Sequence, residues 1–395
     1  LYNDTTGIFV TGINGVNGSG IDFPCNWNRD WDRPAYMEYF VDGKLEFAQE
    51  CNLSRFGGWS RSWYPYNFKL KAQKQYGNNY FEYPFFYDDK PYLKHKVLQV
   101  RNGGNDLNCR IKDAALHNII ITSGYYLDCQ DYQPVCVYVN GKYIGMLNLR
   151  EPSNKHFALA NYGIDTDEMD QMEVTGDVEV KAGTADAFWK WYNLSYSASD
   201  ESVYSQISDM VDIEEFANYM AAELYLGGDD WPGNNCKVFK GWDGKFHVVF
   251  FDADQALRYD SGSLNRITNA GEPLMRIFRN MLGNATFCKL FIDSYCLFGG
   301  SVMQPERCHA IIDSISAQMN PALALEGLST ELTASYMKSV LNSQRHDKMI
   351  DALKNWRYTS NSCYTPQQVS LATNIATGRL QVNGIDVPTG RFSGT

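Results

Sequence analysis

The chain has 395 residues and a formal net charge of −11, with 44% hydrophobic and 21% charged residues. This composition is ordinary for a globular protein with a sizeable core, and no apolar run approaches the ~18 residues that a membrane-spanning helix needs. The acidic balance, with no basic tract to offset it, argues against general binding to nucleic acid.

The first part of the chain is predicted to be mainly β-structure. Residues 1–34 are rich in Gly, Asn and Asp and are expected to form an irregular extension. From 35 to 151 the pattern is typical of antiparallel strands, with hairpin turns at Asp-Gly and Asn-Gly. Strand-like runs occupy 36–49, 67–73, 96–101 and 135–149, and apolar residues at helical spacing predict an inserted helix over 106–122.

From 152 to 365 helices are predicted to dominate. Amphipathic blocks occupy 184–196, 212–226, 272–282, 284–298, 305–319 and about 330–356. The second block opens on Asp212, with Glu215 at the reciprocal position of a capping box. Residues 366–395 contain a predicted hairpin over 378–390 that could begin a further domain. This order favours an α+β, bilobal arrangement, with a cleft between the lobes as the default ligand site.

One stretch, 227–260, combines many small oxygen-bearing side chains with two short apolar strands. After the predicted helix come Asp230 and Asn235, then a hairpin whose return strand ends at Asp252 and Asp254. Because a hairpin returns its far end to its near end, we expect Asn235 and Asp252 to lie close together.

Protein kinases use this spacing. A loop aspartate orients the substrate hydroxyl, an asparagine five residues later binds magnesium, and an aspartate after the next hairpin binds it as well. The usual H-R-D triplet is absent. Asp and Asn are also common loop residues, but Asp252 and Asp254 end a strongly apolar strand, where carboxylates would repel each other without a cation. We therefore favour a cation site.

Several motifs resemble the CotH family, the spore coat protein H-like atypical kinases. They are DWPGNN (230–235), FDAD (251–254), VNGKYIGMLNLRE (139–151), GGWSRS…KLKAQKQYG (57–77) and LQVRNGGNDLNCRIKDAAL (98–116). The resemblance implies a protein-kinase-like fold with a β-rich N-terminal lobe and a helical C-terminal lobe. It also implies ATP with Mg²⁺ (or Mn²⁺), and phosphorylation of Ser or Thr on extracytoplasmic or surface proteins of bacteria.

Carried over to this chain, the resemblance makes Asp230 the catalytic aspartate. Asn235 and Asp252 resemble the metal ligands, and Asn234 and Asp254 are neighbours that could take over either role.

Nucleotide contacts also follow from the resemblance. Glu151 matches the family's glutamate near the lobe junction, and Lys112 occupies a position where arginine is usual. Relatives usually carry Pro-x-Lys where this chain has Pro-Tyr-Asn at 65–67. Arg61 or Lys69 could replace that lysine, although Lys69 is expected to face away from Phe68.

Two other functions remain open. The missing lysine, and aromatic residues at 59, 63, 64, 189 and 191, favour a catalytically silent surface protein that binds glycan or protein. A glycoside hydrolase using Asp230 and Asp252 is a weaker alternative, because asparagines beside a close carboxylate pair suit a cation better. The chain starts at Leu1, so an export signal could have preceded it. The substrate protein and the disulfide pattern cannot be read from the sequence.

Overall fold

The computed structural model describes residues 1–18, 21–88, 92–164, 166–258, 264–360, 365–374 and 378–395. It is a mixed α and β structure whose sheets are antiparallel, which confirms the predicted α+β class, while the bilobal arrangement stays a prediction. Two compact units are present. The first comprises Leu1–Ala114, Asp131–Thr166 and Ala317–Thr330, and the second comprises Ala115–Gln130, Asp167–Ser316 and Glu331–Thr395.

The strands are β1 (Val16–Gly18), β2 (Ile21–Cys25), β3 (Arg33–Val41), β4 (Lys44–Arg55), β5 (Phe68–Lys71), β6 (Phe85–Asp88), β7 (Val97–Arg101), β8 (Tyr132–Val139), β9 (Lys142–Arg150), β10 (Asp170–Val174), β11 (Val178–Ala182), β12 (Lys237–Lys240), β13 (Phe246–Val248), β14 (Val369–Ala372), β15 (Gln381–Val382), β16 (Ile385–Asp386) and β17 (Arg391–Gly394).

The helices are α1 (Lys112–Ile121), α2 (Phe157–Tyr162), α3 (Asp186–Ser195), α4 (Glu201–Ser208), α5 (Ile213–Leu226), α6 (Leu264–Ile267), α7 (Pro273–Met281), α8 (Ala285–Leu297), α9 (Pro305–Leu323), α10 (Glu331–Val340) and α11 (Arg345–Asn355). No described helix combines the length and apolar character that crossing a bilayer requires.

The first unit is built on a six-stranded sheet in the order β3-β4-β5-β7-β9-β8. Leu53, Leu70 and Leu98 are paired across β4, β5 and β7 and are all buried, so they form part of the core of this unit. Along β5, Phe68 is buried and Lys69 is half-buried on the opposite face, as the alternation predicts.

The two predicted hairpin turns of this sheet are confirmed. The turn between β3 and β4 has φ of 50° at Asp42 and 78° at Gly43, and the turn between β8 and β9 has 51° at Asn140 and 76° at Gly141. Two consecutive positive φ angles are typical of a type I′ turn, whose twist matches that of the strands.

The inserted helix begins later than predicted. The pattern predicted a helix over 106–122, but α1 starts at Lys112. The Asp106 carboxylate accepts hydrogen bonds from the backbone N–H groups of Ile111 (2.7 Å) and Lys112 (2.8 Å), and Arg110 has a φ of 58°. The side-chain cap therefore sits outside the helix, and the residues between it and α1 form a turn.

The second unit contains a four-stranded sheet in the order β11-β10-β12-β13, together with most of the helices. Helix α5 is buried from Glu215 to Leu226 and forms the centre of this unit. The predicted N-cap is confirmed, because the Asp212 carboxylate accepts from Glu215 N at 3.0 Å. The reciprocal half of the capping box is wrong: Asp212 N donates to Phe246 O at 2.9 Å instead.

The C-terminal segment forms two small sheets, and one of them is a hairpin within the predicted range 378–390. Strands β15 and β16 pair with each other, and β14 pairs with β17. Val387 and Phe392 are buried in a cluster with Leu297 of α8, so this segment packs on the helical unit.

Candidate functional site

Gly227 ends α5, and the loop after it lies beside the segment that follows β13. Gly227 has a φ of 65°, and its N–H donates to Glu223 O at 3.0 Å. Leu257 N donates to Leu226 O at 2.8 Å, and Asp229 N donates to Gln255 O at 3.2 Å. These backbone hydrogen bonds hold the loop after α5 beside the segment that carries Asp252 and Asp254.

Trp231 fixes this loop to α5. Its side chain is 2% exposed, and its indole N–H donates to the hydroxyl of Tyr219 at 2.9 Å. Tyr219 lies one helical turn before Glu223, so the same face of α5 supports the loop and carries a carboxylate. The loop conformation is therefore determined by buried contacts as well as by local turns.

Asp230 and Asn235 are held together. The Asn235 side-chain amide donates to Asp230 Oδ2 at 3.0 Å, and Asn234 N donates to the Asp230 carbonyl at 2.8 Å. Asn234 is exposed, whereas Asn235 is half-buried and leaves its amide oxygen for another partner. The structure thus favours Asn235 over Asn234 as a ligand.

The second pair of predicted ligands follows the β12–β13 hairpin. Asp252 is half-buried with a φ of 60°, and Asp254 is 2% exposed in the short 3₁₀ turn Ala253–Gln255. The negative charges of Asp230 and Asp252 both raise the pKa of Glu223. Both charges therefore act on the carboxylate of Glu223, near the C-terminal end of α5.

Glu223 is a member of this group that the sequence analysis did not identify. It is 6% exposed and lies on the face of α5 that also carries Tyr219. Burial raises the pKa of Glu223 well above its usual value, and the charges of Asp230 and Asp252 raise it further. A lone glutamate in the apolar run MAAELYL, four residues after Tyr219, was the available signal.

The donor set fits a hard divalent cation. It consists of carboxylate oxygens and one amide oxygen, which Mg²⁺ and Mn²⁺ accept as ligands. The negative charges of half-buried Asp230 and Asp252 act unfavourably on buried Glu223, and a divalent cation would offset that repulsion.

The predicted cations of the first unit occupy its sheet and an adjoining turn. Lys69 is half-buried on β5, and Arg61 lies in the 3₁₀ turn Trp59–Ser62, where its Nε donates to Gly57 O at 2.9 Å.

The position of the family's expected lysine is occupied by a structural asparagine. Asn67 is 1% exposed, donates to Ser60 Oγ at 2.8 Å and accepts from Asn102 N at 2.6 Å. A cation is therefore not supplied from this position.

The other two predicted nucleotide contacts are buried in the first unit. Lys112 is the first residue of α1. Glu151 is fully buried, and its carboxylate accepts from Asp131 N at 3.1 Å and from the Asn161 amide at 3.2 Å. Direct contact of either residue with a nucleotide stays a prediction.

A second carboxylate cluster, around His247, is an internally satisfied network. The imidazole contacts Glu215 at 2.8 Å through Nδ1 and Asp243 at 3.3 Å through Nε2. Asp212 accepts from Glu215 N at 3.0 Å and from the Tyr126 hydroxyl at 2.7 Å. Since these polar atoms already bind one another, the cluster contributes to the structure and is a poor candidate for a metal site.

Comparison with known proteins identifies the family. The model of the family described as CotH kinase protein matches residues 53–359. Among solved structures, the chain is similar to the crystal structure of a Helicobacter pylori proinflammatory kinase, CtkA, with 13% identity and a TM-score of 0.32 over 68% of this chain and 90% of that chain. No curated protein matches the chain. Because the family model covers more than half of its length, the chain belongs to the CotH kinase family.

Proposed function

We propose that the chain is an atypical protein kinase that transfers phosphate from ATP to Ser or Thr of an extracytoplasmic or surface protein in bacteria. The observation that carries this proposal is that Asn235 is hydrogen-bonded to Asp230, while the charges of Asp230 and Asp252 both act on the buried carboxylate of Glu223. Family membership supports the kinase class. The bilobal kinase-like fold, with an N-lobe at 35–151 and a C-lobe at 152–365, is part of the proposal.

Asp230 would accept a hydrogen bond from the substrate hydroxyl and orient its oxygen. The hydrogen bond from Asn235 restricts the Asp230 carboxylate to one orientation, and buried Trp231 keeps the intervening loop in place. Phosphoryl transfer depends mainly on such positioning, because the protein contributes little covalent chemistry of its own.

Asn235 and Asp252 would hold Mg²⁺ or Mn²⁺, with Asp254 as a further ligand. When bound, the cation would neutralise charge on the phosphates of ATP. Arg61, Lys69, Lys112 and Glu151 are the proposed nucleotide contacts, and Arg61 or Lys69 would replace the missing lysine.

Thermal unfolding with ATP, in the presence and absence of Mg²⁺ or Mn²⁺, tests the site. We expect a rise in melting temperature that requires both ligands and is lost in Asp252→Ala. Glu46→Gln is the control, because it also removes one negative charge but from an exposed position. This variant should retain the rise in melting temperature. Transfer of radiolabelled phosphate to protein should then be abolished in Asp230→Asn. No shift at millimolar ATP would refute the kinase proposal.

The structural role of Asn67 favours a second candidate, a catalytically silent protein on the same fold. Trp59 is 69% exposed and Tyr64 is also exposed, so both are available to bind glycan or protein, whereas Trp191 is fully buried. Cation-dependent ATP binding without transfer to any protein would support this candidate over the active kinase.

A further inference from the structure

A half-open depression of about 240 Å³ lies beside α7, and all of its lining belongs to the second unit. None of the residues assigned to the candidate functional site lines it. The walls come from the end of α3, from the loop between α6 and α7, and from α7 itself. They include Tyr196, Gly271, Arg276, Arg279 and Asn280.

Three arginines at this depression are held by backbone carbonyls. Arg276 and Arg279 line it, and Arg357 lies close enough for its charge to act on Arg279. Each guanidinium has five N–H groups, of which Arg279 uses two in these bonds, so donors remain for a ligand. The bonds run from Arg276 to Gly271 O (3.1 Å), from Arg279 to Ile267 O and Ala270 O (both 2.6 Å) and from Arg357 to Thr268 O (2.9 Å).

The positive charges of these arginines are not matched by carboxylates. None of the three forms an ion pair with a residue that the structure describes. Burial lowers the pKa of Arg279, Tyr358 opposes this, and the charges of Arg276 and Arg357 lower it further. The charge of Glu272 offsets part of the repulsion, but its Oε2 is buried without a hydrogen-bond partner among the described residues. An anion bound here would relieve the repulsion between the guanidinium groups.

Neutral donors complete the lining. The Tyr196 hydroxyl donates to the Tyr192 hydroxyl at 2.9 Å, and both hydroxyls lie beside Arg276, whose pKa they raise. One of the two hydroxyl protons is used in this bond, so the pair can donate once more. The Asn280 amide donates to Ser195 Oγ at 3.0 Å, which fixes its orientation. Charged and neutral N–H and O–H groups therefore face the same depression.

We propose that this depression binds the phosphate group of a phosphoserine or phosphothreonine on the protein that the kinase phosphorylates. A phosphate monoester carries nearly two negative charges at pH 7 and three strong acceptor oxygens, which suit several guanidinium groups. The volume is below the roughly 300–1,000 Å³ of pockets that enclose a whole small molecule, so it fits one charged group rather than a nucleotide. The assignment of the partner as the substrate protein rests on the proposed function.

Helix α6 connects the depression with the candidate functional site. Arg266 of α6 donates to Gly228 O and, at 2.6 Å, to Asp229 O, directly before Asp230. Gly271 follows Arg266 by five residues, so the chain between them spans at most about 17 Å. An extended peptide covers that distance in about five residues. The phosphorylated residue is therefore expected within several positions of the accepted serine or threonine.

Fluorescence anisotropy with labelled peptides, in EDTA and without nucleotide, tests the depression. Each peptide carries one serine and, several positions away, phosphoserine, unmodified serine or glutamate. We expect the phosphoserine peptide to bind about tenfold more tightly than the other two, and Arg276→Gln to remove that difference. Arg379→Gln is the matched control, because it removes the same charge from an 82% exposed arginine of the second unit. This variant should retain the preference for phosphoserine.

A second variant tests the same surface independently. Arg279→Gln should also weaken binding of the phosphoserine peptide, and its melting curve checks that the loop between α6 and α7 stays folded without the two carbonyl bonds. Arg276 is exposed, so its replacement should leave the melting temperature unchanged. Equal affinity for the three peptides, or unchanged phosphoserine binding in both variants, would overturn the proposal.

Two further measurements separate other sources of phosphate binding. Unlabelled phosphoserine peptide should displace the labelled one at about a tenth of the concentration that inorganic phosphate requires; displacement at equal concentrations would show a site for the free ion and overturn the assignment to a protein. Asp252→Ala should bind the phosphoserine peptide like the unchanged chain. Loss of binding in this variant would place the peptide at the candidate functional site and also overturn the proposal.

Phosphate transfer separates this inference from the proposed function. Transfer whose kcat/KM is the same for the phosphoserine and unmodified peptides overturns the assignment of the depression while leaving the kinase intact. Phosphoserine-dependent binding that Arg276→Gln removes, without transfer to any peptide, supports the depression and refutes the kinase.

Discussion

Replacing Glu223 by glutamine should change stability and cation binding in opposite directions. The substitution keeps the shape of the side chain and removes one negative charge from the group formed with Asp230 and Asp252. Without a divalent cation this charge is unfavourable, because it is buried and has like charges as neighbours. With the cation bound, the same charge is favourable.

The size of the effect follows from the burial of Glu223. For an illustrative separation of about 6 Å, two like unit charges repel by about 3 kcal/mol at an effective dielectric constant of about 20. At 6% exposure solvent screens little of this repulsion, but proton uptake and local relaxation reduce it. We expect Glu223→Gln to stabilise the cation-free protein by about 1–3 kcal/mol, and to weaken Mn²⁺ binding by about tenfold or more.

Thermal unfolding in EDTA and in a Mn²⁺ titration measures both effects on the same samples. Glu151→Gln is the matched control, since Glu151 is also buried but accepts hydrogen bonds from Asp131 N and the Asn161 amide. That variant should lose about 1–2 kcal/mol of stability. A Glu223→Gln protein that is destabilised in EDTA, or that binds Mn²⁺ as tightly as the unchanged chain, would refute the proposed role of Glu223.

Three further predictions concern buried charged side chains elsewhere in the fold. Arg55 is buried, and its Nε and one Nη have no hydrogen-bond partner among the described residues. Arg55→Met should therefore raise the free energy of unfolding in urea by about 1–3 kcal/mol. A lower free energy of unfolding would show that the contacts of Arg55 with aromatic rings outweigh the cost of burying its charge. Glu326 accepts hydrogen bonds from both terminal nitrogens of buried Arg110, at 3.1 and 2.8 Å. Glu326→Gln should therefore lower the free energy of unfolding by about 2–4 kcal/mol, and adding Arg110→Met should recover part of that loss. Additive effects of the two substitutions in this double-mutant cycle would contradict the pairing. Burial lowers the pKa of His247, but its hydrogen bond to Glu215 outweighs this and the pKa is raised to about 9. The stabilisation from His247 is then full below pH 6.5 and lost as the pH rises through 9, so the melting temperatures of the wild type and His247→Gln should converge between pH 6.5 and 10, whereas parallel curves would show no linkage.

Local chemistry accounts for the parts of the fold that the sequence predicted well. The hairpins at Asp42-Gly43 and Asn140-Gly141 follow from residues that tolerate positive φ, which is a property of the turn itself. The alternation in β5 depends only on which face of one sheet is buried. Such signals are short-range and can be read from a single chain.

Other features depend on contacts that are distant in sequence. The start of α1 was predicted too early because the Asp106 side chain bonds to backbone N–H groups of Ile111 and Lys112, an alternative to helix that periodicity does not detect. Glu223 was missed because its importance comes from the nearby charges of Asp230 and Asp252. Asp230 lies in the loop after α5 and Asp252 follows the β12–β13 hairpin, so their approach to Glu223 depends on the tertiary fold. The approach of Asn235 to Asp230 was within reach of sequence reasoning, since only five residues separate them.

Helix α5 carries Glu223 near its C-terminal end and is buried from Glu215 to Leu226. A helix that is buried along most of its length cannot bend or slide easily, so the direction of each of its side chains is determined by the position of the residue along the helix. Each added residue would advance the helix by about 1.5 Å and rotate it by about 100°. Insertion of a single residue before Glu223 should therefore turn this carboxylate away from Asp230 and Asp252 and weaken Mn²⁺ binding, even where the helix itself stays intact.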